Sequence, residues 1–291
     1  MDPHLIADHA LLAARHATGM VAVPDAVFRI EGPGTIACLQ GLLTNDLQKI
    51  GPRGLVWGAF LTPKGMIVSD AWVARDGDAA WVIVPRAMRE VVRDLFRRGL
   101  PPRLARVTDR SEDLSVRWVL GAVPTDGALC IAAPTEMAPF AALAIGSDAE
   151  LDALGLPPLP TELATLCRVV DGWPAVGQEI DEKTLPQEVR FDELRGVKYD
   201  KGCYTGQETV ARLHFRGHAN RTLRAVRVAG AGVPLDGSVQ DAAGKVVGQV
   251  TTAAVLAGTW VGLAKIRREV ETGARVRVGG VDAEVTDFPL A

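Results

Sequence analysis

Apolar and polar positions along this chain fall into blocks of different period, and the blocks predict its elements. Residues 5–17, with Leu5, Leu12 and several alanines on one weak face, predict a first helix. The run MVAVPDAVFRIE at 20–31 predicts a strand, and GPGTIACLQGLLTND after it contains a short helix-like apolar stretch. Three strands follow at 55–62, 66–74 and 79–85, punctuated by the turn signals Pro63-Lys64-Gly65 and Asp76-Gly77-Asp78. Met88, Val91, Val92, Leu95 and Phe96 recur at helical spacing with charges between them, so 86–98 predicts an amphipathic helix.

Strand-like RLARVTD and LSVRWVLG come next, and strands, helix, strands in that order predict an α+β layer of helices on antiparallel sheet. Residues 121–160 are rich in Ala, Pro and Gly, end in GLPPLP and predict a linker. The stretch 161–216 mixes helix and loop. Beyond it RTLRAVRVAG, GSVQDAAGKVVGQVTTAAV, TWVGLAKIRRE and ARVRVGGVDAEVTDF alternate between glycine breaks, which predicts a small C-terminal β-barrel.

Composition changes this picture only modestly. A chain of 291 residues accommodates two or three domains, and 48% hydrophobic residues can build a core without metals or disulfides. The net charge of -3 gives no global pull toward nucleic acid. Cys38, Cys130, Cys167 and Cys203 are far apart and form no CxxC pair, which argues against a zinc site or a disulfide framework and suits a reducing compartment. Asp2, His4, Asp8 and His9 stand where a secretion signal would be basic, and no apolar run approaches the roughly 18 residues of a membrane span. The expectation is a soluble cytoplasmic protein.

Candidate chemistry concentrates in KGCYTGQETVAR at 201–212. Thr205 and Glu208 fit a capping box, which predicts a helix from there to about Phe215 with Cys203 just ahead of it. Lys201 and Arg212 would add positive charge to the positive end of the helix dipole and favour a thiolate at Cys203; a buried, inert cysteine is the alternative. Eight basic residues (Arg195, Lys198, Lys201, Arg212, Arg216, Arg221, Arg224, Arg227) face two acids, Asp200 and Glu208, over 195–227. Such an excess suits an anionic ligand or acidic partner, or is a solvated face. His214 and His218 have ligand-like spacing, but the metalloprotease pattern fails around them. Gly32-Pro33-Gly34 lacks the third glycine of a dinucleotide loop. Glu188, after Pro186 and Gln187, suits either a pocket carboxylate or a first-turn residue.

KGCYTGQE resembles the signature of the YgfZ-type folate-binding proteins, factors of iron–sulfur cluster assembly and repair related to the T-protein aminomethyltransferases. CLQGLLTNDL at 38–47, LTPKGMIVSDAWV at 61–73, GWPAVGQEI, LPQE and GKVVGQVTT at 244–252 carry the resemblance over most of the chain. It implies a three-domain, cloverleaf-like molecule around tetrahydrofolate, polyglutamylated forms included, with iron–sulfur client enzymes or assembly proteins as partners. No membrane partner is expected without a long apolar run, and nucleic acid is a poor match, since only Tyr199, Tyr204 and Phe215 stand near the basic cluster to stack bases. The expected division is 1–50 with 100–160, 51–99 with 161–216, and a barrel at 217–291. By position, Arg168 and Asp70 match folate-site residues of T-protein. With the chemistry of their own stretches, Cys203 and Lys201 are the expected catalytic groups, and Glu188 and Arg212 join Asp70 and Arg168 as the expected folate-binding ones. T-protein's Arg-x-Gly-Tyr-Thr-Gly-Glu segment has no counterpart in 103–160, which argues against aminomethyl transfer. A folate-dependent one-carbon transferase and an RNA- or protein-binding module are the rival readings.

Overall fold

The computed structural model describes residues 18–124, 128–229, 236–256 and 258–290; the helix expected at 5–17 lies outside them. The chain enters as strand β1 (Gly19–Val23) and continues at once as β2 (Asp25–Glu31). The sequence pattern reads these as one strand, yet they belong to different sheets. Pro24 separates them; without an N–H it cannot continue a ladder.

Helix α1 (Thr35–Gln40) leads to β3 (Leu55–Leu61), β4 (Ile67–Asp76) and β5 (Ala79–Pro85). A single 3-10 turn then opens helix α2 (Arg89–Gly99), which is followed by β6 (Arg106–Asp109). These strands form an antiparallel sheet in the order β3-β4-β5-β2-β6. Both its faces are covered, so β3 is buried at every position. On one face Phe28, Phe60 and Val73 pack under α1 and α2; on the other Val27, Trp57, Trp72 and Ile83 join the central core. The alternation follows from the two-residue period of a strand. Phe96 is the anchor of α2, meeting Phe28 and Phe60 edge-on at 5.5 and 5.4 Å.

Strands β7 (Ser115–Leu120), β8 (Leu129–Ala132) and β9 (Ala142–Gly146) follow, with helix α3 (Asp148–Asp152) and β10 (Pro158–Leu159). They make a second sheet, β10-β1-β7-β9-β8. The stretch expected to be a linker thus supplies β8, β9 and β10. Of these, β9 lies between β7 and β8, while β8 and β10 are edge strands with one partner each; pairing makes these short segments strands, not their own propensity. Strands β2 and β6, which the sequence division assigns to the first unit, pair in the sheet of β3, β4 and β5.

Helix α4 (Glu162–Asp171) and helix α5 (Gln207–Arg216) bracket a long irregular segment. A closed six-stranded barrel ends the chain: β11 (Arg221–Val228), β12 (Ser238–Gln240), β13 (Val246–Leu256), β14 (Thr259–Arg267), β15 (Arg275–Val278) and β16 (Val281–Thr286). The central core is continuous from both sheets through α4 to Leu223 and Leu263 of the barrel. Gly32, half of the candidate nucleotide loop, serves packing: its φ is +138° and a Cβ there would sit 2.4 Å from the Leu104 carbonyl oxygen. Among the described residues, no helix is long and apolar enough to cross a membrane.

Candidate functional site

A cavity of ≈ 670 Å³ opens at the seam where β1 hands over to β2, within the range usual for small-molecule sites. Its walls come from both sheets and α4. Trp72 of β4, Trp118 of β7 and Trp173 after α4 line it, and Trp72 stacks on Trp173 at 5.3 Å and 13°. Asp25, Asp70 and Arg168 supply its charge. Asp25 stands opposite Pro85 across β2 and β5. Trp72 stands opposite Ile83 across β4 and β5, so two residues further Asp70 reaches the same level from the other side.

Asp70 is buried, at 8% exposure. Its Oδ2 accepts from Trp57 Nε1 at 3.1 Å, while its Oδ1 has no hydrogen-bond partner. The indole N–H of Trp118 is buried without a partner as well. Both residues line the cavity, so these orphaned buried polar atoms lie in its wall, where a ligand's polar atoms could complete the bonding after a side-chain adjustment. Burial pushes the Asp70 carboxyl up to about 6, against the pull of the Trp57 hydrogen bond and the charge of Arg168. Burial pushes Asp25 up to about 8, and the neighbouring Asp70 adds to it.

Arg168 reaches the cavity from α4 and is fixed from behind. Its Nη1 donates to the Trp173 carbonyl at 2.7 Å and to Glu179 Oε2 at 3.1 Å. Glu179 is fully buried and also accepts from the Ala175 N–H at 3.0 Å and from the Thr251 and Thr252 hydroxyls at 2.7 and 2.5 Å. One carboxylate therefore ties α4, the cavity loop and barrel strand β13 together.

The cysteine motif lies apart from this cavity. Cys203 is exposed, which removes the buried-cysteine alternative. The predicted capping box is absent: Gly206, in the left-handed region at φ +83°, precedes α5 and no side chain caps it. Glycine is required there because a Cβ would sit 2.6 Å from the Thr62 carbonyl oxygen, in the turn joining β3 to β4. Lys201, expected beside the thiol as a catalytic group, is a clamp instead. Its Nζ donates to the carbonyls of Gln40, Leu43 and Asn45 at 2.7, 2.6 and 2.8 Å, which uses all three of its donors. Burial pulls its pKa down to about 8, with the Asp46 charge acting in the other direction.

Asp70 and Arg168 are thus brought into one pocket, whereas Cys203, Lys201, Glu188 and Arg212 are not among its lining residues. Glu188 takes the first-turn role: its Oε2 accepts from the Leu185 N–H at 2.9 Å. Arg212 is exposed on α5. The basic run is not one surface: Lys201 is consumed by carbonyls, and Arg224 on the barrel lies 3.9 Å from Asp287. His214 stacks on Tyr199 at 3.8 Å and meets Asp192 at 3.2 Å, and among the described residues no His, Cys, Asp or Glu group could hold a metal. Asp25, Glu179 and the tryptophans escaped sequence reasoning. Their one signal was six tryptophans in a chain with 5% aromatic residues.

Exposure sets an expected order of thiol reactivity. Brief alkylation at neutral pH followed by mass mapping should label Cys203 first, the half-buried Cys38 and Cys130 more slowly, and buried Cys167 last. Preferential labelling of any other cysteine would contradict the exposed loop.

No family model matches the chain. The iron-sulfur cluster assembly factor IBA57 homolog, mitochondrial, of Mycosarcoma maydis is 27% identical over 241 residues, 74% of this chain and 58% of that protein. This chain therefore spans less than two thirds of that relative's length. The tRNA-modifying protein YgfZ of Klebsiella pneumoniae is 28% identical over 227 residues, 68% of each chain. The YgfZ of Cronobacter sakazakii is 26% identical over 254 residues, 77% of this chain and 76% of that one. Among solved structures, the glycine cleavage system aminomethyltransferase T from Bartonella henselae superposes with a TM-score of 0.79 at 12% identity, covering 96% of this chain and 88% of that one. That likeness carries the fold, as its antiparallel sheets and closed terminal barrel do. In sequence the chain is similar to the YgfZ and IBA57 proteins, and its fold is that of the aminomethyltransferase.

Proposed function

We propose that this chain binds a reduced folate in the tryptophan-walled cavity and serves as an accessory factor in the assembly or repair of iron–sulfur clusters, with Cys203 as its working thiol. The observation that carries the folate part is the unpartnered Oδ1 of buried Asp70 inside an aromatic cavity. A flat, N–H-rich heterocycle suits tryptophan faces and a carboxylate acceptor. The glutamate tail is a chain of carboxylates, and Arg168 is the cation of the cavity that matches one. The accessory role rests on the relative whose name is iron–sulfur cluster assembly factor and on the exposed thiol. Clusters normally take four ligands, so one cysteine would act on a cluster only together with a partner protein.

Tetrahydrofolate binding, followed anaerobically by quenching of tryptophan fluorescence, tests the first part. Asp70→Asn should weaken binding about 10- to 100-fold, the value of one hydrogen bond to a charged group. A triglutamate form should bind more tightly than the monoglutamate at low salt. Undiminished binding by the Asp70 variant would remove the pocket from consideration. The one-carbon transferase reading uses the same pocket and requires turnover of an aminomethyl or methyl donor, which is not expected here. The YgfZ relatives are named as tRNA-modifying proteins. A direct RNA contact in this chain would have to show as tRNA binding lost on charge reversal at Arg212 and Arg216, with folate binding kept.

A further inference from the structure

The cavity holds a second acid, Asp25, that the cysteine motif and the resemblance to T-protein both leave without a task. It shares a level of the sheet with Asp70, the two flanking Pro85 on β2 and β4, and both line the same cavity. Resting on the folate reading for the identity of the ligand, we infer that Asp25 and Asp70 work as a pair holding one proton, and so select a ring edge that presents a donor beside an acceptor, as an aminopyrimidinone does.

The surroundings leave little alternative to sharing. The cavity walls are indole and aliphatic apart from Thr161 and Thr165, and its lining residues carry one cation, Arg168. That guanidinium already faces buried Glu179 at 3.1 Å, so it cannot neutralise two further carboxylates. Strands β1, β5 and β7 and the loop 173–176 bring no titratable side chain to the lining. Two carboxylates in such a medium do not both ionise. Burial and the Asp70 charge make Asp25 the proton holder near neutrality, while Trp57 N–H and Arg168 favour ionised Asp70. Asp25 then donates and Asp70 accepts through its unpartnered Oδ1. A carboxylate tail would be repelled from the pair, so the ring faces Asp25 and Asp70 while the tail lies toward Arg168.

The sign of the pH dependence follows. Once pH passes about 8, Asp25 loses its proton, its hydrogen bond to the ligand is lost, and a second negative charge appears. One unit above that value roughly a tenth of Asp25 stays protonated, so affinity for tetrahydrofolate should be about tenfold weaker at pH 9 than at pH 7. Asp25→Asn keeps an N–H donor that does not titrate, and its affinity should stay level over the same interval. A wild-type affinity that does not change, or an equal fall in the Asn variant, would overturn the pair. A second readout separates this from the folate reading. In ligand-free protein with 13C-labelled aspartate, the Asp25 carboxyl should titrate well above ordinary carboxylates and drop back in Asp70→Asn. If tetrahydrofolate binds at no pH, the folate reading falls, and this titration alone decides the pair: a raised midpoint that drops in the variant sustains it, an ordinary midpoint overturns it.

Discussion

Glu179→Ala is expected to destabilise the protein by about 3–5 kcal/mol, the usual cost of removing one partner from a buried ion pair. The wild-type side chain is fully buried and satisfies Arg168, the Ala175 N–H and two threonine hydroxyls. Alanine leaves a guanidinium at 12% exposure without its counter-charge, and the Ala175 N–H and Thr252 hydroxyl without the acceptor they use, while the Thr251 hydroxyl keeps the Leu263 carbonyl at 3.1 Å. At roughly 2–4 °C per kcal/mol for a chain of this size class, the midpoint of thermal unfolding should fall by about 10 °C. Folate binding should fall with it, because Arg168 and the loop of Trp173 are positioned by the same carboxylate. Glu179→Gln separates the two effects: the amide oxygen can still accept from the threonines, so part of the stability returns while the charge opposite Arg168 does not. A midpoint unchanged in the alanine variant would mean that the junction between α4 and the barrel is held elsewhere.

Glu179 also shows where the sequence stopped being legible. It lies in GQEI, nine positions before Glu188, and nothing local distinguishes the two carboxylates. Glu188 has the conspicuous setting after Pro186, and that setting is the turn it caps. Glu179 owes its role to Thr251 and Thr252, which arrive from the barrel more than 70 residues later. The pocket has the same origin: Asp25, Asp70, Trp118 and Arg168 sit on β2, β4, β7 and α4, and only the packing of the two sheets and α4 together makes them neighbours. Strands β3, β4 and β5 were legible because long β-branched and aromatic runs meet strong turn signals. Strands β8 and β9 were not, since ALAIG becomes a strand through burial between β7 and β8, and LCIA through pairing as an edge strand with β9 alone. The single run through Pro24 was misread because hydrophobicity continues across a residue that hydrogen bonding cannot cross. The cysteine motif was the clearest signal in the chain, yet its composition left exposed and buried readings of Cys203 open, and it misled on the capping of α5.

Lys201→Met and Cys203→Ala should therefore have opposite profiles, although they lie two residues apart. Methionine keeps the length and the apolar stem of lysine but leaves the carbonyls of Gln40, Leu43 and Asn45 without their donor. Hydrogen bonds from a charged donor contribute roughly 1.5–3 kcal/mol each and are not additive when shared by one group, so a loss of about 3 kcal/mol is expected. That loss should be local as well as global. Lys201 ties the cysteine loop to the segment after α1 together with the Thr205 N–H on the Gly41 carbonyl and the Lys49–Asp200 pair, so amide exchange over 200–206 should quicken in the variant without the loop coming free. Cys203 makes no such tie: it is exposed, and open space surrounds the neighbouring Gly202. Cys203→Ala should shift stability by under about 1 kcal/mol, as surface changes do. Folate binding should be kept, because the thiol is not part of the cavity. Activity of iron–sulfur enzymes in cells carrying only this variant should nevertheless fall to the level of cells lacking the protein. Full complementation by a stable Cys203→Ala protein would leave the folate pocket as the working site and the cysteine as a bystander. A large stability loss in that same variant would instead show that the motif's thiol is structural, and that exposure at this position misstates its packing.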